Sequence, residues 1–340
     1  MCPFFNEEAI IENAIDRMLV NLLGQFPSGS WELILVDDGS EDASLELATN
    51  RAAASSARVR VISYSHNQGR GRALKTGIDW ATGKIIVTTE VDCSWGDDIV
   101  QRLVKTLDEN PSVDFVVASV HMRGGGLANV PALRRFLTRF GNWLIRGFFT
   151  SKVTMNTGMT RGYRRHVIQP LVTSSNGKEF HLEVLLKLLS LGFRVQEIPA
   201  IITWSDEKLT RGGKVRKSST NILRTITSHL QFIAIAQPVA YFAWMAVASL
   251  ILGAGFLVGA IHQLIAGGVA AFLAIVALTM FLFALLFVGF SVLFFQLREN
   301  SIERWRLEYP RPHPPHVRPG YEAFSNYPSE SSITTESGGT

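Results

Sequence analysis

Apolar and polar positions follow two regimes along the 340 residues. Up to about residue 215, short apolar runs alternate with amphipathic stretches, whereas from Val239 onward two long runs carry no charge at all. Trp31 to Val36 is a short apolar run ending in Asp37-Asp38-Gly39-Ser40, after which Glu41 and Asp42 open an amphipathic stretch through Ala54. That order predicts strand, turn and helix. It recurs as Val59 to Ser63 before a helix over Arg70 to Ala81, as Lys84 to Thr89 before a helix over Ile99 to Asn110, and then as Phe115 to Val120. Strands alternating with helices of this length predict an α/β domain with a largely parallel sheet and helices on both faces.

In such sheets ligands bind at the carboxyl ends of strands. The polar residues collect there. Asn6, Glu7 and Glu8 follow a shortened first element, Asp37 and Asp38 follow the Trp31 run, and Glu90 and Asp92 follow the Lys84 run. Glu41, Asp42, Asp97 and Asp98 read as acids capping helix starts. Glu90 and Asp92 read differently, because two carboxylates one residue apart at the end of a buried strand repel each other, and a divalent cation with oxygen ligands relieves this. Gly69-Arg70-Gly71 lies at a strand-to-helix turn, but Leu74 leaves the dinucleotide-binding glycine pattern incomplete, and there is no P-loop.

The two charge-free runs, Val239 to Ile261 and Val269 to Leu297, extend ~35 Å and ~43 Å as helices, against a hydrocarbon core of about 30 Å. Both are expected to span a membrane. Lys214, Arg216, Lys217 and Arg224 precede the pair and Arg298, Arg304 and Arg306 follow it, while the link His262 to Gly268 has no Lys or Arg, so both ends are expected to be cytoplasmic. The expected division is a soluble domain over residues 1–215, a juxtamembrane amphipathic helix over 216–237, two spans over 238–297 and a mostly disordered tail over 298–340. Ser219 to Gln237 reads either as an interfacial helix or as a helix packed on the soluble domain. Glu7, Glu8 and Glu12 stand where a signal peptide would need a basic and then an apolar segment. The isoelectric point of about 9.1 comes with basic residues beside the spans, which suits anionic lipid better than nucleic acid. Cys2 and Cys93 make no disulfide framework and no metal spacing.

Several motifs together resemble a known family. Pro3-Phe4-Phe5-Asn6-Glu7-Glu8 is similar to P-x-x-N-E-E, Leu35-Val36-Asp37-Asp38-Gly39-Ser40 to V-D-D-G-S, Asn67 to Gly77 to N-x-G-x-G-x-A-L-x-x-G, and Glu197-Ile198-Pro199 to E-x-P. All four belong to family 2 glycosyltransferases of the dolichyl-phosphate mannose synthase group. The resemblance implies a nucleotide-sugar-binding domain of the Rossmann-like GT-A fold, in which Pro3, Phe4, Asn6, Glu7, Asp37, Asp38 and Lys75 hold the donor nucleotide. It places Glu90 and Asp92 at the D-x-D metal position for Mg²⁺ or Mn²⁺, with Glu in place of the first Asp. Arg123, Arg134 and Arg135 resemble basic positions near the donor and lipid phosphates. Met159 to Arg165 fits the T-S-G-F-R segment in more than one register, so Arg161 and Arg164 are both candidates; the resemblance also raises Glu183. The family's opening motif follows a longer apolar strand than Met1-Cys2 supplies. An upstream start is therefore expected, since losing a central strand leaves ladder groups unpaired.

The implied reaction is inverting transfer of a sugar from GDP-mannose or a UDP-hexose to a polyisoprenyl phosphate at the cytoplasmic membrane face. Asp92, Arg123, Arg135 and Arg161 are the expected catalytic residues. The segment Lys208 to Lys217 reads as a mobile loop closing over the phosphates. A processive polysaccharide synthase would carry Q-x-x-R-W and more spans, where this chain has only Arg304-Trp305 of that motif. A non-catalytic sugar-nucleotide-binding partner is the other alternative. The sugar, the lipid and the oligomeric state, including a homo-oligomer, stay open.

Overall fold

The computed structural model describes residues 1–129, 153–156, 158–177, 179–203, 210–211, 214–215, 238–309 and 321–325. They fall into two compact units, an α/β unit and a helical hairpin. The α/β unit opens with β1 (Cys2–Phe4), α1 (Ile11–Gln25), β2 (Leu33–Asp37), α2 (Ser44–Ala54), β3 (Val59–Tyr64), α3 (Arg70–Trp80), β4 (Ile85–Thr88), α4 (Ile99–Glu109) and β5 (Phe115–Ser119). It continues with β6 (Gly126–Ala128), β7 (Arg161–Arg164), a one-turn helix α5 (Arg165–Ile168), α6 (Phe180–Ser190), β8 (Val195–Pro199) and β9 (Ile201–Thr203). The expected strands and helices through β5 are present, with ends shifted by two residues or fewer except at the start of α2.

Alternation along each strand explains the layering. Cys2, Phe4, Leu33, Leu35, Val59 and Val61 share a core with Ile11, Ile15, Met18 and Leu19 of α1 and with Ala48 and Ala52 of α2. Successive strand residues point to opposite faces, so these odd and even positions select one side of the sheet. Each buried Leu or Ile contributes about 1.5–3 kcal/mol through its removal from water. β1, β2 and β3 pair in parallel, with Cys2 opposite Leu35 and Leu35 opposite Val61.

The sheet is mixed rather than largely parallel. β7 lies antiparallel between β4 and β5, with Val87 opposite Gly162 and Val116 opposite Gly162, and β8 then pairs in parallel with β5. Its sequence, Arg-Gly-Tyr-Arg, lacks an apolar run, which is why periodicity passes over it. The shortened first element does form a strand. The Met1 amino group donates to the Val87 carbonyl (2.7 Å) and the Thr89 amide to the Met1 carbonyl (3.1 Å), which joins β1 to β4.

Residues 321–325 of the tail form β12 (Tyr321–Ser325), antiparallel to β3. The long helices are α7 (Pro238–Ile265) and α8 (Ala271–Glu308), the second continuing past Leu297 because the stretch after it is rich in Glu and Arg, both good helix formers. Within the Lys208 to Lys217 segment, Thr210–Arg211 (β10) pairs antiparallel with Lys214–Val215 (β11). The proposed interfacial helix over Ser219 to Gln237 lies outside the described residues.

In the hairpin, buried Ala246, Gly253 and Ala260 of α7 recur every seven residues and face a helix whose own buried alanines are Ala277 and Ala284. Small residues let the two backbones approach closely. A Cβ on Gly253 would stand 2.9 Å from the Phe281 ring. Phe242 stacks on Phe294 with centroids 5.4 Å apart. Only 22% and 11% of the most apolar windows of α7 and α8 are buried, so neither is the core helix of a soluble unit. Both are long and apolar enough to cross a membrane.

Candidate active site

Three loops meet beyond the carboxyl ends of β1, β2 and β3. The Asn6 amide donates to Ser40 Oγ (2.9 Å), Asn6 Oδ1 accepts from the Glu41 amide (2.8 Å), and the Glu7 amide donates to Ser44 Oγ (2.7 Å). Asn6 has φ 53°, a left-handed conformation that Asn tolerates better than most residues. Asp37 is fully buried and accepts from the Ser40 amide (3.1 Å), from Ser40 Oγ (2.5 Å) and from Ser63 Oγ (2.8 Å). Asp38 accepts from the amides of Gln68 (2.9 Å) and Gly69 (3.0 Å), immediately before α3. Burial raises the Asp38 pKa, and those two amides oppose it. Asp37 and Asp38 therefore shape the loops that Asn6 and Glu7 join. Pro3 and Phe4 lie within β1 directly below them.

Gly39 makes this crossing sterically feasible. Its φ is 72°, and a Cβ there would stand 2.3 Å from the His66 carbonyl carbon. Gly71 does the same on the other side of the turn, where its amide donates to the Asn176 carbonyl (2.7 Å) and a Cβ would meet the Gly177 carbonyl oxygen at 2.7 Å.

Glu90 and Asp92 occupy the turn after β4. Glu90 Oε2 accepts from Ser94 Oγ and from Trp95 Nε1, each at 3.1 Å, and Asp92 Oδ1 accepts from the Ser94 amide (3.0 Å). Cys93, immediately after Asp92, has φ 50°. Both side chains are half-buried. Among the described residues no group of three or more His, Cys, Asp or Glu gathers as a cation cage. Two hard carboxylates in one turn suit Mg²⁺ or Mn²⁺ nonetheless, since such ions commonly take one or two carboxylates and complete their shell with substrate phosphates and water.

Several expected site residues are otherwise engaged. Lys75 pairs with Asp79 (2.8 Å) and donates to the Gln169 carbonyl (3.2 Å). Arg161 is fully buried, with Nη1 donating to the His181 carbonyl and Nη2 to the Asn156 carbonyl, both at 2.7 Å. That is the geometry of a brace. Arg164 donates to the carbonyls of Val113 (2.8 Å) and Leu107 (2.7 Å), closing the carboxyl end of α4. Glu183 accepts from Lys187 (2.7 Å) and from the amides of Ser174 (2.9 Å) and Ser175 (2.8 Å). Burial opposes its ionisation, but these donors outweigh burial and hold its pKa below the ordinary value. Arg123 is exposed after β5, beside Gly124 with φ 88°. Arg134 and Arg135 lie outside the described residues.

Of the expected capping acids, Asp42 accepts from the amide of Ser44, the first residue of α2 (3.0 Å). No capping side-chain bond forms at α4, where Asp97 instead accepts from Arg17 Nε (2.6 Å) and Asn21 Nδ2 (2.8 Å) of α1. Ser63, Trp95, Asn156 and His181 were not anticipated. Ser63 ends β3 and Trp95 follows the acidic turn, so their positions after strands were a usable signal. Nothing local to Asn156 or His181 marks them.

Residues 1–171 match the glycosyl transferase family 2 domain, and the chain belongs to that family. Its α/β unit has the GT-A fold. Among its relatives, a polyprenol monophosphomannose synthase from Mycolicibacterium smegmatis is 29% identical over 196 residues, covering 56% of this chain and 71% of the relative. A dodecaprenyl-phosphate galacturonate synthase from Rhizobium johnstonii is 32% identical over 143 residues, covering 42% of this chain and 40% of the relative. A Mycobacterium tuberculosis glucosyl-3-phosphoglycerate synthase, crystallised with Mn²⁺, UDP-glucose and phosphoglyceric acid, shares the fold with a TM-score of 0.51 at 15% identity, covering 70% of this chain and 78% of that one.

Proposed function

We propose that this glycosyltransferase moves a hexose from GDP-mannose or a UDP-sugar to a polyisoprenyl phosphate, with inversion, at the cytoplasmic face of a membrane. The observation that carries this reading is the locking together of the Asn6-Glu7 turn and the loop after Asp37-Asp38 at the strand ends, with Glu90 and Asp92 in the turn after β4, in a chain that also has two long exposed apolar helices. The relatives' names supply the acceptor class. The loops of Asn6, Glu7, Asp37 and Asp38 hold the donor nucleotide, with the buried aspartates fixing loop shape.

Glu90 and Asp92 would hold Mg²⁺ or Mn²⁺, which when bound would supply charge stabilisation to a nucleoside diphosphate leaving group. The acceptor phosphate is anionic near neutral pH and needs no strong base, so the protein's task is positioning and electrostatics. Exposed Arg123, with Arg134 and Arg135, pairs with phosphate oxygens through planar guanidinium forks. Tethering the domain to the membrane raises the local concentration of a lipid acceptor. The test is transfer of radiolabel from a panel of GDP- and UDP-sugars into extractable polyprenyl phosphate. One donor labelling the lipid supports the reading; labelled free sugar without labelled lipid overturns the acceptor assignment.

A further inference from the structure

One residue beyond the acidic turn gathers three donors from a single helix. Arg17, Asn21 and Gln25 of α1 recur every four residues and so lie one above another along the helix. Arg17 Nε donates to Asp97 Oδ1 (2.6 Å), Asn21 Nδ2 to the same oxygen (2.8 Å), and Gln25 Nε2 to the Asp97 carbonyl oxygen (2.9 Å). The hydrogen bond from Arg17 outweighs desolvation and holds the Asp97 carboxyl below its ordinary range. Asp97 stands just before α4, where an acid commonly serves as a cap, yet its carboxylate turns to α1 and the start of α4 has no side-chain cap.

The core fixes α1 as the mount for this contact. Ile11, Ala14, Ile15, Met18 and Leu19 are buried, which sets the rotation of the helix about its axis. The same helix grows out of the Asn6-Glu7 turn, since the amides of Ile10 (3.0 Å) and Ile11 (2.9 Å) donate to the Glu7 carbonyl. One helix, ~22 Å long, therefore joins that turn to Asp97. From Asp97 the chain runs back to Glu90 through a tied turn. The Gly96 amide donates to the Cys93 carbonyl and the Cys93 amide to the Glu90 carbonyl, both at 3.4 Å, while Ser94 and Trp95 donate to the two carboxylates. β4 anchors the entrance of this turn, and the contact with α1 anchors its exit.

We propose that Asp97, held by Arg17, Asn21 and Gln25, is a positioning residue that sets the Glu90-Asp92 turn in register with the Asn6-Glu7 turn at the start of α1. The proposal rests on the reading of Glu90 and Asp92 as cation ligands. Arg17 and Asp97 are each about half exposed, and an ion pair so placed adds little to the stability of a whole domain. Its effect on a cation is larger, because Mg²⁺ and Mn²⁺ are sensitive to ligand placement and groups that orient metal ligands change affinity by about 10- to 100-fold.

The test uses the full chain in detergent micelles with Mn²⁺ alone as the probe, unbound Mn²⁺ being read by electron paramagnetic resonance. Wild type is compared with Asp97→Ala, Arg17→Met, the double variant and Asp92→Ala, and amide hydrogen exchange and the thermal midpoint are followed alongside. Asp97→Ala is expected to weaken Mn²⁺ binding by about tenfold and to speed exchange at Cys93, Ser94 and Gly96 by about tenfold, with a midpoint within about 2 °C of wild type. Arg17→Met changes both in the same direction, and the double variant is no worse than Asp97→Ala alone. Unchanged Mn²⁺ affinity and exchange in Asp97→Ala overturn the proposal, as does weaker binding that comes only with a large fall in the midpoint, the mark of a structural prop. Wild-type affinity in Asp92→Ala overturns the metal assignment instead; the exchange rates, which need no metal, then decide the role of Asp97 on their own.

Discussion

Replacing Arg161 with Met separates a bracing role from a catalytic one. The guanidinium is wholly buried and gives one nitrogen to the His181 carbonyl and another to the Asn156 carbonyl, tying the start of α6 to the segment before β7. Met retains apolar bulk but leaves both carbonyls unpaired, at a cost of about 1–3 kcal/mol each. Relief from burying a cation offsets part of this, leaving a net loss of about 3 kcal/mol. For a unit of roughly 200 residues that lowers the midpoint by ~6–12 °C. Lys is expected to recover little, since one ammonium on a flexible stem does not reproduce the planar fork that bridges two carbonyls. The measurement is thermal unfolding followed by near-UV circular dichroism, alongside transfer rate assayed at a temperature where both proteins are folded. An unchanged midpoint with transfer reduced a hundredfold would refute the bracing role and return Arg161 to the catalytic set.

Three further outcomes follow from the same geometry. His181 is buried, and burial, then Arg161 and Arg70, push its pKa well below the ordinary value, so the unfolded chain binds a proton there that the folded chain does not. Stability contributed by neutral His181 is therefore present above about pH 6.5 and lost as pH falls below it, and His181→Gln should flatten that part of a midpoint-against-pH curve. Gly39→Ala should abolish donor binding in a fluorescence titration, because φ 72° and a 2.3 Å approach to the His66 backbone leave no room for a methyl group; binding within twofold of wild type would contradict the loop packing. Lys75→Met should leave donor affinity within twofold while lowering the midpoint slightly, since its nitrogen serves Asp79 and Gln169; a tenfold loss of affinity would place Lys75 back at the nucleotide.

Local pattern carried the strands and helices through β5, because each apolar run ends in a polar turn at the strand's carboxyl end. It also brought out Asn6, Asp38, Glu90 and Asp92, whose positions after strands follow from the same rule. β7 escaped notice because a strand buried by tertiary contacts, with two Arg161 nitrogens bonded to the carbonyls of His181 and Asn156, need not be apolar in sequence. The motif position of Lys75 likewise says nothing about its partners Asp79, one helical turn later, and Gln169, far along the chain. The resemblance carried Arg161 into the catalytic set, whereas burial and carbonyl partners are properties of the folded state alone.

The most direct measurement is the Mn²⁺ dependence of sugar transfer to polyprenyl phosphate, for the wild-type chain and for Asp92→Ala, with EDTA as the zero point. A saturable rise with Mn²⁺ in the wild type, and loss of at least a hundredfold in the folded variant at every Mn²⁺ concentration, is the expected result. Transfer that persists in EDTA, or an Asp92→Ala variant as active as wild type, would contradict the assignment of the Glu90-Asp92 turn.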